Sequence, residues 1–545
     1  MRKAVFLLCA LLFLVRIGLA TELSGPLTGN LPLSGSPYQV VGDIWVPQSG
    51  SLVIEPGVAL DFQGYCKFSI KQGATLQAVG TAADSIVFSC DTLLNPQKWV
   101  GIRFDTSASN SIMQYCRVEH AMESGIACIR SSPAIENCLI KRNIGANWDM
   151  WLTPAGGGIA CLNASAAVIR WNRIEENDAA AGAGIYAFDN SYPRIIGNDI
   201  TNNGDYYGAG LYFVSCAGAE IRDNVISGNV GDDGTAINFA SNYAGRFLLV
   251  GNSIIGNEAL YSGPVINVSD IAELRVENNV ISANISPAST PVIDIFQPGP
   301  ESRISFVGNL ISDNVNRHGA AIGVFYGGHV YFSNNAVVNN YAWDTGGGGL
   351  YIRGLAPEII NNIFWNNSGP EIELDDTIGV SHCDIQGGFP GEGNIDVDPL
   401  FRDTTSGNYH LMSTACGDLF DSPCIDAGSP DYRDDTLSCQ WGLGDSLCDM
   451  GAYGGGIKLC RYMIGDANDN GSADGVDVVY LVNYFKLGIA PGYICDCPAA
   501  DDFYAPADVN GTCEANGVDV TYYVNYLKGY GPALTFCIDC PPMVR

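Results

Sequence analysis

Basic side chains are scarce in this chain. Lysine and arginine number 27 against 58 acids, and no lysine occurs between Arg142 and Lys458. Such a surface repels nucleic acid and anionic lipid, which both bind clustered cations. It suits calcium or neutral ligands, and a polyanionic substrate would need a cation bridge. Histidine is also rare. His120, His329, His382 and His410 are scattered and read as structural, and only His318 has an arginine, Arg317, beside it in a turn. Long apolar runs are absent after Val5–Val15, which is too short to span a bilayer. Arg2 and Lys3 precede that run and Gly18-Leu19-Ala20 follows it, so residues 1–20 read as a secretory signal peptide. Its removal takes Arg2, Lys3 and Arg16 and no acid from a chain already at −31. The expectation is a secreted, extracellular or cell-surface protein with no membrane insertion and no nucleic-acid partner.

Helical spacing is missing from the middle of the chain. In its place stands a nine-residue phrase: apolar, two variable, Asn, variable, apolar, two variable, Asn. IRWNRIEEN, IIGNDITNN, IRDNVISGN, LVGNSIIGN, VENNVISAN, FVGNLISDN, FSNNAVVNN and IINNIFWNN are its copies. The first Asn falls at Asn172, Asn198, Asn224, Asn252, Asn279, Asn309, Asn335 and Asn362. The second falls at Asn177, Asn203, Asn229, Asn257, Asn284, Asn314, Asn340 and Asn367. Cys116, Cys138 and Cys383 take the first position in three further copies. A fixed period of this length means stacked supersecondary units. Apolar positions alternate around each Asn, as at Ile195 and Ile200 about Asn198, and a second strand recurs upstream (GGGIACL, GAGIYAF, GAGLYFV, GTAINFA, GGGGLYI). These patterns predict an all-β solenoid whose coils stack at ~4.8 Å, roughly 50 Å over eleven coils. An inward Asn in each coil hydrogen-bonds its neighbours and is expected to take the left-handed backbone of the corner. Asn316 is expected to point outward.

The pattern resembles the right-handed parallel β-helix, pectate-lyase-like family over about residues 25–455. YQVVGDIWVPQSGSLVIEPGVALDF resembles that family's first coils, and NIDVDPLF…YHL…SPCIDAGSP…DMGAYG its C-terminal end. The resemblance implies the fold strongly and a polysaccharide-related activity weakly, since the family includes lyases, glycosidases and adhesins. The Gly-His-Gly and Arg-Ile-Lys of polygalacturonase-like members are absent.

Nineteen cysteines include Cys9 in the leader, leaving an even number in the exported chain. Ten lie after residue 410, where little periodic core is visible, and disulfides are the expected staples. Cys495-x-Cys497 with Cys537-x-x-Cys540 also has the donors of a zinc site.

From about residue 461 two copies of one unit follow, GDANDNGSADGVDVVYLVNYFKLG and ADVNGTCEANGVDVTYYVNYLKGYG. The first opens with a twelve-residue loop carrying Asp466, Asn468, Asn470, Asp474 and Asp477, with Gly471 at the sharp turn and Ser472 offering its carbonyl. Hard oxygens at this spacing suit Ca²⁺. The second loop keeps Asp508, Asn510, Asn516 and Asp519 but has Thr512 and Cys513 at the fifth and sixth positions. Cys513 is a candidate for a disulfide there. Val478, Leu481, Val482 and Phe485 line one helix face and Val520, Tyr523, Val524 and Leu527 the other. The unit resembles a type I dockerin, which implies calcium as cofactor and a cohesin-like partner. Gly475-Val476 and Gly517-Val518 stand where that family carries its polar reading pair. The domains expected are thus the leader at 1–20, the β-helix at 21–458 and a dockerin-like calcium-binding domain at 459–545.

Loops after the second Asn should share one edge of the solenoid. They carry Trp148, Trp151, Tyr206, Tyr207, Tyr261 and Trp343 among acids, the chemistry of a polysaccharide or cell-surface glycan site. Asp232-Asp233, Asp375-Asp376 and Asp396-x-Asp398 are candidate carboxylate pairs for glycoside chemistry. The expectation is polysaccharide binding or degradation by a lyase or glycosyl hydrolase, the alternative a non-catalytic adhesin or scaffold.

Overall fold

A computed structural model describes residues 21–537 apart from 146–155, 205–206, 262, 288–289, 318–320, 344–347, 354–356, 375–378, 435–436, 459–461, 469, 488–494 and 498–499. The chain divides into two compact units, Met1–Gly204 and Asp205–Arg545.

The first unit is built of parallel strands stacked coil on coil. Ile126–Ile129, Ile159–Leu162 and Ile185–Phe188 pair in register, as do Leu139–Lys141, Arg173–Glu175 and Asp199–Thr201. A third set, Ala134–Glu136, Val168–Arg170 and Arg194–Ile196, stacks likewise. The second unit repeats the arrangement. Leu211–Val214, Ile237–Ala240, Ile266–Ser269, Ile293–Phe296, Ile322–Phe325, Leu350–Arg353 and Ile372–Leu374 form one parallel face. The upstream strands and the phrase strands therefore both form where the sequence places them.

The interior is a set of apolar columns. Ile254, Ile281, Ile311, Val337 and Phe364 are fully buried at one register position, and Phe306 stacks on Phe332 at 4.9 Å. Two asparagine ladders run through the corners. Asn252 Nδ2 donates to Asn279 Oδ1 at 2.9 Å and to the Ile221 carbonyl at 2.9 Å, and its Oδ1 accepts from Asn224. The same bonds recur through Asn309, Asn335 and Asn362. Cys138 and Cys383 occupy the position as expected, each Sγ receiving a backbone N–H at 3.4 Å. The first ladder ends on Asn394, which accepts from the Cys383 N–H, and the second on Glu371, which accepts from Asn367.

Two expectations are corrected. The left-handed residue is not the ladder Asn but the one before it: Trp171, Gly197, Asp223, Gly251, Asn278, Gly308, Asn334 and Asn361 all have φ between 53° and 67°. The corner reverses at that residue, whose side chain points away from the core, while the next one must aim inward. Asn316 is buried, not outward, because it belongs to a short inner strand, Val315–Asn316, paired with Tyr341–Ala342.

The segment after Asn394 folds back over the last coils. Tyr409, Leu411, Cys424, Leu443 and Met450 cover the outer face of Leu310, Ala336, Val338 and Ile363. The Tyr409 hydroxyl donates to Asp313 at 2.8 Å and accepts from Asn339. Of the cysteines expected as staples here, Cys416 and Cys439 are bonded, whereas Cys424 and Cys448 are buried free thiols. Cys424 donates to Asp384 at 3.2 Å.

At the C-terminus two helices, Gly475–Leu487 and Gly517–Leu527, pack around Leu481 and Tyr523, with Ala467, Ala507 and Val509. Val478 and Val520 are partly buried as expected, but Phe485 and Leu527, towards the helix ends, remain about two fifths exposed. Cys513 is bonded to Cys537 and holds φ +63° at the turn where the first loop has Gly471 at +84°. That bond rules out Cys537 as a zinc ligand.

Candidate functional site

The site lies on the outer face of the strand set from Leu211–Val214 to Ile372–Leu374. Along the strands from Leu211–Val214 to Leu350–Arg353 the first and third residues are buried, as Ile293 and Ile295 are, so the second and fourth face outward. The second position reads Tyr212, Asn238, Asn267, Asp294, Gly323, Tyr351 and Glu373 in consecutive register. A block of hydrogen-bonding side chains therefore sits in the middle of a column flanked by tyrosines.

Asp233 joins that block from the turn before Ile237–Ala240. Its backbone is held by the Gly208 N–H, which donates to the Asp233 carbonyl at 2.9 Å. Gly263 passes directly beneath, where any Cβ would collide with the Asp232 carbonyl. The Asn267 amide donates to Asp233 Oδ2 at 3.4 Å and to Asn238 Oδ1 at 3.3 Å. Asn238 donates to the Asp233 carbonyl at 3.1 Å. Asp294 Oδ1 is buried without a hydrogen-bond partner. Burial, with the negative charge of Asp233 nearby, pushes the Asp294 carboxyl up to about 7. Burial and the charge of Asp232 raise Asp233 to about 6, against which the Asn238 amide acts. Burial and Asp233 together lift the Tyr212 hydroxyl to about 12. Two carboxyls with separated, elevated proton affinities on one outward face are the equipment of general acid–base chemistry.

Of the aromatics expected on the turn edge, Tyr207 reaches this block, its ring stacked on Tyr212 at 6.5 Å. Tyr261 and Trp343 are exposed on the turns, at 72% and 53%, and neither joins another ring among the described residues. Trp148, Trp151 and Tyr206 lie outside the described residues, as do Asp375, Asp376 and His318. Asp396 and Asp398 are exposed and accept local backbone N–H groups. Of the three carboxylate pairs, the structure draws in Asp232-Asp233, and it adds Asp294, Asn238 and Asn267, which sequence reasoning missed. The signal was present: AINF, VINV and VIDI place Asn, Asn and Asp at one strand position in three successive coils.

A second recess, in the first unit, is an open cleft of about 440 Å³ lined by Trp45, Lys71, Asp105 and Arg130. Arg130 pairs there with Asp105 at 3.0 Å, and Asp105 is the single carboxyl of the lining.

In the C-terminal loops the buried carboxylates organise backbone. Asp466 accepts from the Asn470 and Gly471 N–H groups, and Asp477 from Asn468 and Asp474. Asp508 and Asp519 repeat this with Thr512, Cys513, Val509 and Asn516. Burial raises Asp477 and Asp508, and takes Asp519 to about 6. Asn468 Oδ1 is buried and unpartnered. Among the described residues no three His, Cys, Asp or Glu side chains are gathered closely enough to hold a metal by themselves.

A family model described as a right handed beta helix region matches residues 151–281. No curated protein matches the chain. Among solved structures the Dettilon tailspike protein is similar at 12% identity and a TM-score of 0.27, over 63% of each chain, so the chain spans less than two thirds of that neighbour's length. The molecule is a right-handed parallel β-helix repeat protein. No helix among the described residues is long and apolar enough to cross a membrane.

Proposed function

We propose that the protein cleaves glycosidic bonds in a polysaccharide, with Asp294 as proton donor and Asp233 as base. The observation that carries this reading is the convergence of both carboxyls on one outward column with Asn238, Asn267 and Tyr212. Asp294 gives its proton to the glycosidic oxygen as the bond to the anomeric carbon breaks. Asp233 takes a proton from the water that attacks that carbon, and the two products are a new hydroxyl and a new reducing end. The carboxyls lie one to two coil rises apart, roughly 5–10 Å, the range in which paired acids work on such bonds. Activity should rise as Asp233 ionises through about 6 and fall as Asp294 ionises through about 7. A pH–rate profile of wild type and Asp233→Asn tests this: the variant should lose the acid limb along with most of its rate. An unchanged profile would contradict the assignment.

The C-terminal module supports a second part of the reading, that residues 459–545 form a calcium-dependent attachment domain. Asp466, Asn468, Asn470, Ser472, Asp474 and Asp477 would hold Ca²⁺ in the first loop. The unpartnered Asn468 oxygen and the left-handed Gly471 both suit that role. Asp508, Asn510, Asn516 and Asp519 would serve the second loop. Bound calcium would supply positive charge that offsets the buried carboxylates. A cohesin-like partner would read exposed Val476 and Val518 instead of a polar pair. The leader reading of residues 1–20 makes the setting extracellular. Calorimetric titration of the full chain with Ca²⁺ should show heat that Asp466→Ala with Asp477→Ala removes; equal heat in that variant would sink the first-loop site.

A further inference from the structure

Beside the carboxyl pair, on the same outward face, lies a group of aromatic rings. Phe296 follows Asp294 by two residues, and Phe325 stands next to Phe296 in register. The ring centroids of Phe296 and Phe325 are 6.4 Å apart, those of Phe325 and Tyr351 are 5.4 Å apart, and Tyr326 meets Phe296 edge-on at 6.1 Å. Phe296 and Tyr326 are 44% and 51% exposed, although rings of this size are ordinarily turned inward. Gly323 makes room for the arrangement: a Cβ there would meet Phe325 Cε2 at 2.8 Å, so the Phe325 ring leans over the glycine, between Asp294 and Tyr351.

We propose that Phe296, Phe325, Tyr326 and Tyr351 form a stacking platform for a neutral glycan chain running from coil to coil into the Asp233–Asp294 pair. The ligand class follows from the chemistry. Exposed rings attract the apolar C–H faces of sugars, and the neighbouring carboxyls accept hydroxyl hydrogen bonds. Among the described residues Arg353 is the one cation in register with the platform, against the carboxylates of Asp233 and Glu373, so a polyuronate or sulfated chain is repelled. The rings span two coil rises, ~10 Å, so the platform holds more than one sugar and affinity grows with chain length.

The inference rests on reading this face as glycan-handling, and its test separates the two. In the full chain, Asp294→Asn keeps probes intact while binding is measured. Neutral hexasaccharides (cello-, xylo- and mannohexaose) and a galacturonate hexamer are the probes. At least one neutral hexamer should bind, more tightly than its trimer. Adding Phe296→Ala and Tyr326→Ala should weaken it by about tenfold or more, with an unchanged melting temperature because both rings are exposed. Binding that survives the ring substitutions, preference for the acidic hexamer, or binding of no probe would overturn the platform. Neutral binding with no cleavage by wild type would leave the platform standing and remove the catalytic reading.

Discussion

At each ladder corner two neighbouring residues divide the work. The first takes a left-handed φ and can be Trp171, Asp223 or a glycine, because its side chain lies outside the ladder; at Asn334 and Asn361 the closing segment covers it. The second must be a short side chain with both donor and acceptor, because it faces the coils above and below. Asn fits, and a thiol in Cys138 or Cys383 serves where the stack starts or ends. The sequence showed the second residue plainly and hid the first, whose identity varies freely. Asn252→Ala should cost roughly 1–3 kcal/mol, since the N–H of Asn224 and the Ile221 carbonyl lose buried partners. The exposed Glu258→Ala, one short strand away, should cost almost nothing. Denaturant melts of the two variants check the contrast, and equal shifts would mean the ladder carries no special load. Asp294 shows the opposite limit. Alone, VIDIF is an ordinary alternating strand, and only in-register stacking on Asn267 and Asn238 gives its carboxyl a meaning.

Strands and coils were legible because their period is short and repeated. The elements that close the solenoid were less so, since each occurs once. The second ladder ends on a carboxylate, Glu371, whose side chain takes both the backbone N–H and the amide of Asn367. Burial raises Glu371 to about 7, Asp384 to about 6 and Asp449 to about 7. In the folded chain each holds its proton more tightly than when unfolded. Their stabilisation is therefore complete below about pH 4 and is lost as pH rises towards about 7. The melting temperature should fall over that interval, and Glu371→Gln, which cannot titrate, should flatten part of the slope. A melting temperature that is flat or rises from pH 4 to 7 would contradict this picture of the closing elements.

For the whole molecule, a chain with net charge −31 builds one outward face on which acids, amides and aromatic rings fall into register. Repetition gives the frame, and departures from it at consecutive coils give the site. The turn-edge aromatics were visible as residues, but whether rings gather depends on sheet register, and it is Phe296, Phe325 and Tyr351 that meet. The most direct test of this account is reducing-end release from a panel of neutral polysaccharides by wild type and Asp294→Asn at pH 6.5. Wild type should release new ends from at least one polymer, and the variant should fall by about a hundredfold or more, the scale of a lost general acid. Release by the variant at the wild-type rate, or no release from any polymer by wild type, would contradict it.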